Sequence, residues 1–156
     1  MEAPRRIVIG SDHAAFDLKE KIKAFLIQNA VEVEDMGPFG PGSVDYPDFG
    51  MKVARKVSTG ECPEGILLCG TGLGMSMVAN RFPGVRAALC AEPFSAAMSR
   101  QHNNANILVM GARVIGEAMA LEIVRVWLET PFEGGRHQAR LDKFDAIPMD
   151  CDSGGC

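Results

Sequence analysis

Short apolar segments alternate with longer amphipathic segments along almost the whole chain. The apolar segments are rich in Val, Ile and Leu, and several end at a glycine, as buried strands do. The segment 31–35 instead alternates apolar and acidic residues, which is typical of a strand near the edge of a sheet. We predict strands at 6–10, 31–35, 65–69, 86–90 and 107–110.

The amphipathic segments predict helices between and after these strands. In the first of them, Leu18, Ile22 and Leu26 repeat at helical spacing with lysines between them. A loop rich in Pro and Gly follows at 36–47, and Asp48 is predicted to cap a helix that runs to residue 58. Further helices are predicted up to residue 80 and over 94–102, 117–129 and 135–144.

Strands that are separated by helices need crossover connections, and these place the strands in a parallel sheet with helices on both faces. We therefore expect a three-layer α/β/α, Rossmann-like fold with a five-stranded parallel sheet. The chain has 156 residues, the size of one domain. Residues 1–147 are expected to form this domain, and residues 148–156, which lack periodicity, a flexible C-terminal tail.

Composition excludes several classes of partner. The formal net charge is −4, so no basic field is available for nucleic acid. No apolar run reaches the ~18–20 residues that span a bilayer, and the first residues lack the apolar core of a signal peptide. The five cysteines form no CxxC pair, which favours free thiols in a reducing compartment. We expect a cytoplasmic protein without a membrane partner.

Ligands of an open parallel sheet bind at the carboxyl ends of the strands, near the point where the strand order reverses. The residues that directly follow the predicted strands should therefore share one edge. They lie at 11–13, 69–74, 91–92 and 111–113.

One of these segments is a glycine-rich loop at 70–74 between a predicted strand and a helix. Glycines allow the backbone to approach a ligand closely, and the first amides of a helix favour an oxyanion. A tight turn without a ligand would have the same sequence. A dinucleotide fingerprint would need glycine at position 75, where the chain has Met75, although Glu92 stands at the distance of a ribose contact.

Cys69 ends the strand that precedes this loop. A thiolate is favoured beside the amino terminus of a helix, so Cys69 is a candidate base or nucleophile, and a buried structural cysteine is the alternative. His13 and His102 are expected at the same ligand edge, where imidazoles transfer protons or bind phosphate. Histidines at helix ends also act simply as caps.

Arg136 and Arg140 lie four residues apart and project from one face of the last predicted helix. Such a pair suits a phosphate group, or else it is an ordinary solvated surface pair. No HxH, HExxH or Cys/His cluster occurs, so neither a metal site nor a cofactor is predicted.

Five segments, taken in order, resemble the ribose-5-phosphate isomerase B family, which also includes galactose- and allose-6-phosphate isomerases. They are GSDH (10–13), VDYP (44–47), CGTGLG (69–74), SRQHN (99–103) and EGGRH (133–137). The resemblance extends over about residues 6–147.

The resemblance implies a role for individual residues. Cys69 stands where family members carry a cysteine base, and Met75 where others carry a glutamate base. His102 would open the sugar ring, and Thr71 and Asp12 would assist catalysis. The implied substrate-binding residues are Asp12, His13, Tyr46, Gly70, Thr71, Gly72, Leu73, Gly74, Asn103, Arg113, Arg136 and Arg140. The resemblance also implies a homodimer or tetramer whose active sites are shared between subunits.

The activity implied by the resemblance is the interconversion of ribose 5-phosphate and ribulose 5-phosphate through a cis-enediolate, without metal or cofactor, in the non-oxidative pentose phosphate pathway. Two alternatives stay open. One is a hexose-6-phosphate isomerase of the same family, and the other is a non-catalytic nucleotide-binding module that uses the same glycine-rich loop.

Overall fold

Five parallel strands form one sheet in the computed structural model, which describes residues 3–149. The order across the sheet is β2-β1-β3-β5-β4, and every neighbouring pair is parallel. This confirms the predicted sheet and the edge position of the second strand. The strands are β1 (Arg6–Ser11), β2 (Glu32–Asp35), β3 (Glu64–Cys69), β4 (Ala87–Leu89) and β5 (Ile107–Gly111).

Helices cover both faces of the sheet, which confirms the three-layer α/β/α architecture. One apolar cluster joins the first, fourth and fifth helices to one face, and a second cluster joins the second and third helices to the other. The helices within residues 3–149 are α1 (Phe16–Gln28), α2 (Tyr46–Ser58), α3 (Leu73–Ala79), α4 (Pro93–Gln101), α5 (Glu117–Glu129) and α6 (Arg136–Asp145).

The strands divide their side chains between the two clusters because successive residues of a strand point to opposite faces. On β1, Ile7 and Ile9 join the cluster of α1 and α5, whereas Val8 joins the cluster of α2. All three side chains are fully buried. A strand that is buried on both faces must be apolar throughout, as the central strands are.

The start of α2 differs from the prediction. The helix begins at Tyr46 after Asp45, and Pro47 lies in its first turn, so Asp48 is a helical residue and not the cap. Proline is tolerated there because the first amides of a helix have no intrahelical partner. Asp48 lies in the first turn, where the helix dipole favours a negative charge.

Two further predictions concern the ends of the chain and the cysteines. Pro148 and Met149 are exposed, and the rest of the proposed tail lies outside the described residues. Cys62, Cys69 and Cys90 are buried free thiols, as predicted. The other two cysteines also lie outside residues 3–149.

A cluster of charged side chains joins α1 to the end of β2. Lys19 is fully buried, and its ammonium group contacts the two carboxylate oxygens of Asp35 at 2.8 and 2.7 Å. Lys23 donates to the same carboxylate at 2.8 Å. The carboxylate also accepts the amide of Gly37 at 2.9 Å, and the Gly37 carbonyl accepts the amide of Ser11 at 3.0 Å. Asp35 therefore fixes the loop after β2 against the end of β1.

The hydrogen bonds to the Asp35 carboxylate keep it ionised. Burial alone would raise the pKa of Asp35, but the hydrogen bonds from the two lysines and the Gly37 amide outweigh burial and lower the pKa. Asp35 is therefore ionised at neutral pH, and it neutralises the buried ammonium group of Lys19.

Replacement of this carboxylate should destabilise the protein strongly. Asp35→Asn leaves Lys19 buried with less compensation, and removal of one partner of a buried pair costs about 3 kcal/mol. Denaturant unfolding followed by circular dichroism measures the loss. Asp17→Asn, on the exposed side of α1, is the matched control and should cost much less. Equal unfolding midpoints for the two variants would contradict the assigned role of Asp35.

The pH dependence of the same comparison tests the ion pair itself. A lowered pKa in the folded state stabilises the protein fully above the ordinary aspartate pKa of about 3.9. That stabilisation is lost as the pH falls through the lower folded-state pKa. The difference in unfolding free energy between the wild type and Asp35→Asn should therefore narrow below about pH 4.

Candidate active site

The strand order reverses between β1 and β3, because the chain passes from β1 to β2 on one side and continues on the other side with β3. The carboxyl ends of β1 and β3 therefore border the crevice where ligands of such sheets bind. Asp12 and His13 follow β1, and Cys69 ends β3. The predicted meeting of these segments at one edge is confirmed.

Short backbone contacts hold Asp12 and His13 in place. The Asp12 carboxylate is mostly buried and accepts the amide of Ala15 at 3.1 Å, just before α1. His13 Nδ1 lies 3.2 Å from both the amide nitrogen and the carbonyl oxygen of Val44. The first histidine is thus oriented by the loop before α2, and this loop follows the segment that Asp35 anchors.

The glycine-rich loop contacts the sulfur of Cys69 through one backbone amide. The Gly72 amide donates a hydrogen bond to Cys69 Sγ at 3.1 Å. Gly72 has φ +82°, a conformation that favours glycine. Cys69 is 5% exposed as a residue, so its sulfur lies at the base of the loop and not on the open surface. Leu73 begins α3 and is exposed at the rim of the loop.

Arg113 and Tyr46 border the loop on two sides. The carbonyls of Cys69 and Gly70 accept the amides of Ala112 and Arg113, each at 2.9 Å, and this places Arg113 after β5. A Cβ atom on Gly70 would lie 3.5 Å from the Arg113 side chain, which is itself exposed. The Tyr46 ring occupies the space that a side chain at Gly74 would need, with ring carbons 2.6 Å from the ideal Cβ position.

Gly111 is a structural requirement of the loop that the sequence motifs did not reveal. A Cβ atom on Gly111 would lie 2.8 Å from Thr71 Cα. The loop backbone therefore packs directly on the end of β5. Apart from its position at the end of an apolar strand, nothing in the sequence marks Gly111 as a contact of the loop.

The remaining predicted site residues lie at the opposite edge of the sheet. Helix α4 returns antiparallel to the strands, so His102 and Asn103, which follow it, stand before the amino end of β5. The Gln101 carbonyl accepts the Glu133 amide at 3.1 Å, and this bond brings the start of α6 to the same place. Arg136 and Arg140 are exposed on α6.

The expectation that His102 shares an edge with Cys69 is therefore wrong within one chain. A strand of five or six residues spans about 17–20 Å, and this length separates the two groups. The expectation failed because the carboxyl end of a crossover helix lies beside the amino ends of the strands. Asn103, Arg136 and Arg140 lie at the same amino edge as His102.

His137 is a residue that the sequence analysis did not single out. Its ring stacks on that of His102, with centroids 4.2 Å apart and planes inclined by 12°. His137 is 5% exposed, and it lies within the segment 133–137 that carries part of the resemblance. In the sequence, the position of His137 next to Arg136 is the feature that could have identified it as a candidate site residue.

One cavity lies near the amino edge of the sheet and another near the carboxyl edge. A cavity of about 620 Å³ lies beside Asn103 at the amino edge, and a smaller one of about 330 Å³ includes Tyr46 and Gly74. Neither is lined by Cys69 or His102.

No helix within residues 3–149 combines the length and the apolar character needed to cross a bilayer.

Known proteins resemble this chain over nearly its whole length. The Ribose/Galactose Isomerase family model matches residues 7–144. Ribose-5-phosphate isomerase B of Escherichia coli (strain K12) is 48% identical over 92% of this chain and 96% of its own. D-erythrulose-4-phosphate isomerase of Pectobacterium atrosepticum is 44% identical over 88% of this chain and 91% of its own.

Solved structures give the same result. Ribose-5-phosphate isomerase B of Clostridium thermocellum superposes with a TM-score of 0.89 at 54% identity, and the match covers 91% of this chain and 96% of that one. Ribose-5-phosphate isomerase B of Mycoplasma genitalium with bound ribulose-5-phosphate has a TM-score of 0.87 at 41% identity, covering 92% and 96%. The fold and these similarities define an enzyme of the isomerase class. The chain belongs to the ribose/galactose isomerase family.

The contact between the glycine-rich loop and β5 can be tested by Gly111→Ala. The new methyl group displaces the backbone of Thr71, and overpacking of this kind should lower the melting temperature by about 3–10 °C. Thermal unfolding followed by circular dichroism measures the shift. Gly42→Ala is the control, because nothing lies within 4 Å of its added Cβ atom. A Gly111→Ala melting temperature equal to that of Gly42→Ala would refute the contact.

Proposed function

We propose that this protein interconverts ribose 5-phosphate and ribulose 5-phosphate. The observation that carries the proposal is the position of Cys69, whose sulfur accepts the Gly72 amide at the base of the glycine-rich loop. The family membership and the 48% identity to the Escherichia coli enzyme support this choice of substrate. Among the solved relatives, the Mycoplasma genitalium enzyme holds ribulose-5-phosphate.

The proposed reaction needs one base and donors for a developing oxyanion. Cys69 removes the proton from C2 of the open-chain aldose, and the electron pair of that C–H bond forms the C1–C2 double bond of a cis-enediolate. In the enediolate the former carbonyl electron pair lies on the C1 oxygen, which takes the proton of the C2 hydroxyl. The C2 oxygen then becomes the ketone, and the C1–C2 electron pair takes up at C1 the proton that Cys69 returns. Both electrons stay in the substrate, so no redox cofactor takes part.

Preorganised hydrogen-bond donors lower the energy of such an intermediate. The amides of the loop at 70–74 and the Thr71 hydroxyl directly follow Cys69 in the chain, and they would bind the enediolate oxygens. Gly72 cannot carry a side chain without strain, because its backbone is left-handed and lies against Leu89 and the end of β5. The loop is therefore rigid where the donors are needed.

The remaining roles fall on both edges of the sheet. His102, assisted by Asp12, would protonate the ring oxygen and open the furanose. His13, Tyr46, Asn103, Arg113, Arg136 and Arg140 would bind the sugar and its phosphate. Arg113 is at the carboxyl edge, whereas Asn103, Arg136 and Arg140 are at the amino edge.

One chain cannot bring these two groups to the same small substrate, and we therefore propose that a second copy completes each site. In a two-fold symmetric dimer, the amino edge of one subunit faces the carboxyl edge of its partner, and both sites become complete. A homodimer, or a tetramer built from two of them, satisfies this requirement. The exposed guanidinium groups of Arg136 and Arg140 support this arrangement, because a surface pair is available to a neighbouring subunit.

The proposed setting is the non-oxidative branch of the pentose phosphate pathway in the cytoplasm. A hexose-6-phosphate isomerase is the alternative within the family. The D-erythrulose-4-phosphate isomerase of Pectobacterium atrosepticum, at 44% identity, differs from a pentose phosphate isomerase in the carbon chain of its named substrate. Assays on ribose 5-phosphate, allose 6-phosphate, galactose 6-phosphate and erythrulose 4-phosphate separate these substrates.

The nucleotide-binding alternative has less support. The Glu92 carboxylate caps α4 by accepting the amides of Phe94 and Ser95 at 2.7 and 2.8 Å, so it is already used. Met75, where a dinucleotide fingerprint needs glycine, is fully buried in the core. Stabilisation by nucleotides but not by pentose phosphates in a thermal-shift assay would favour this alternative.

Cys69→Ala should abolish most of the isomerase activity. Loss of a positioned base lowers kcat by ~10²–10⁴-fold, whereas the fold should persist because alanine fits the same site. Steady-state kinetics with ribose 5-phosphate measure kcat. Cys90→Ala, at another buried thiol, is the matched control and should retain kcat. A kcat of Cys69→Ala within about tenfold of the wild type would exclude Cys69 as the base.

Complementation between variants tests the shared site. Cys69→Ala and His102→Ala should each be nearly inactive alone. In a heterodimer of the two, one site receives the intact Cys69 from one chain and the intact His102 from the other. Co-expressed chains with different affinity tags, purified as heterodimers, should recover roughly half of the wild-type activity per dimer. No recovery would mean that both residues act within one chain. Full activity of His102→Ala alone would mean that His102 does not act.

A further inference from the structure

Three potential metal ligands from two separate segments meet at the amino edge. His102 follows α4, and Glu133 and His137 flank the start of α6. One donor atom from each side chain lies within 4.8 Å of the others. Neither segment alone contains a metal-binding motif, which is why the sequence predicts no site here.

The imidazole of His137 has an unpartnered nitrogen that points into this cluster. His137 is 5% exposed, and its Nε2 has no hydrogen-bond partner among the described residues. Glu133 Oε2 lies 3.3 Å from this nitrogen. A buried polar atom without a partner costs free energy, and a ligand that occupied the cluster would remove that cost.

Backbone contacts hold the two segments of this cluster together. The Glu133 amide donates to the Gln101 carbonyl at 3.1 Å, and the His137 amide donates to the Gly134 carbonyl at 3.0 Å. The first bond fixes Glu133 beside His102, and the second closes the turn that brings His137 back toward Glu133. The two imidazole rings stack on each other, so the His102 ring must turn out of this stack before both rings can bind one ion.

The donor set suits a transition-metal ion. Two imidazoles and one carboxylate with an open fourth position are typical of catalytic zinc sites, with donors about 2.0–2.2 Å from the ion. Tetrahedral geometry at these lengths separates the donors by about 3.3 Å. His137 Nε2 and Glu133 Oε2 already have this spacing. Rotation of the half-buried His102 side chain brings the third donor to the ion.

We propose that His102, Glu133 and His137 form a site for a divalent transition-metal ion, with Zn²⁺ as the representative, and that the bound ion inhibits the isomerase. An imidazole that is coordinated to zinc cannot exchange the proton that ring opening requires. Inhibition rests on the proposed function of His102, whereas metal binding rests on the geometry of the cluster alone. Arg136 and Arg140 carry positive charge on the same helix, but they are exposed and screened by solvent.

Binding is measured without substrate. The protein is first treated with a chelator and dialysed, and Zn²⁺ is then titrated by calorimetry. Cobalt(II), which absorbs visible light when imidazoles coordinate it, is titrated in parallel. Both titrations are repeated with Cys69→Ala, so that binding to that thiol is excluded. We expect one strongly bound ion per chain in both proteins.

Glu133→Gln should weaken this binding by at least about tenfold, since even groups outside the coordination sphere contribute that much to metal affinity. Glu117→Gln, an exposed carboxylate at the start of α5, is the matched control and should bind as the wild type does. Absence of tight binding to the wild type, or unchanged binding by Glu133→Gln, would overturn the proposed site.

Activity assays then test inhibition. With chelator present, the wild type and Glu133→Gln should both convert ribose 5-phosphate. Added Zn²⁺ should inhibit the wild type, and inhibition of Glu133→Gln should require at least about tenfold more metal. Equal inhibition of both would refute inhibition through this site. If neither protein acts on a sugar phosphate in chelator, the proposed function fails, while calorimetry still decides the metal site.

Discussion

Parallel pairing of β1, β3 and β5 is the constraint on which the rest of the molecule depends. It aligns the carboxyl ends of the strands, and it forces each crossover helix to return to their amino ends. Cys69 and His13 lie at the first edge, and His102 and Arg136 at the second. No rotation of a side chain can bridge a distance of about 17–20 Å, so each edge of the sheet carries one half-site of the proposed active site.

Each half-site is held by a different kind of interaction. At the carboxyl edge the glycine-rich loop packs directly on Gly111, and the charge of Asp35 fixes the neighbouring loop through Lys19 and Gly37. The close packing of the loop backbone on β5 and the buried ion pair both restrict the movement of the hydrogen-bond donors around Cys69. At the amino edge a backbone hydrogen bond joins Gln101 to Glu133, and the His102 ring stacks on its neighbouring imidazole.

This difference has a consequence for regulation of the enzyme. A rigid set of amides can stabilise an oxyanion at a fixed position. A pair of imidazoles beside Glu133 can instead bind either a proton or a metal ion. The group proposed to open the sugar ring would then also be the group through which a metal inhibits. Both uses require that His102 stay accessible in the proposed dimer, and its ring is half-buried at the end of α4.

Local patterns of the sequence determined the order of strands and helices along the chain, because the periodicity of apolar residues depends only on residues that are close in sequence. They also identified the glycine-rich loop with Cys69 and, through the resemblance, the family. Tertiary structure alone decided that His102 faces away from Cys69, since this depends on where α4 ends relative to the sheet. It likewise decided that Lys19 is buried and that His137 meets Glu133. Such long-range contacts join segments whose separation along the chain carries no information about their distance in space.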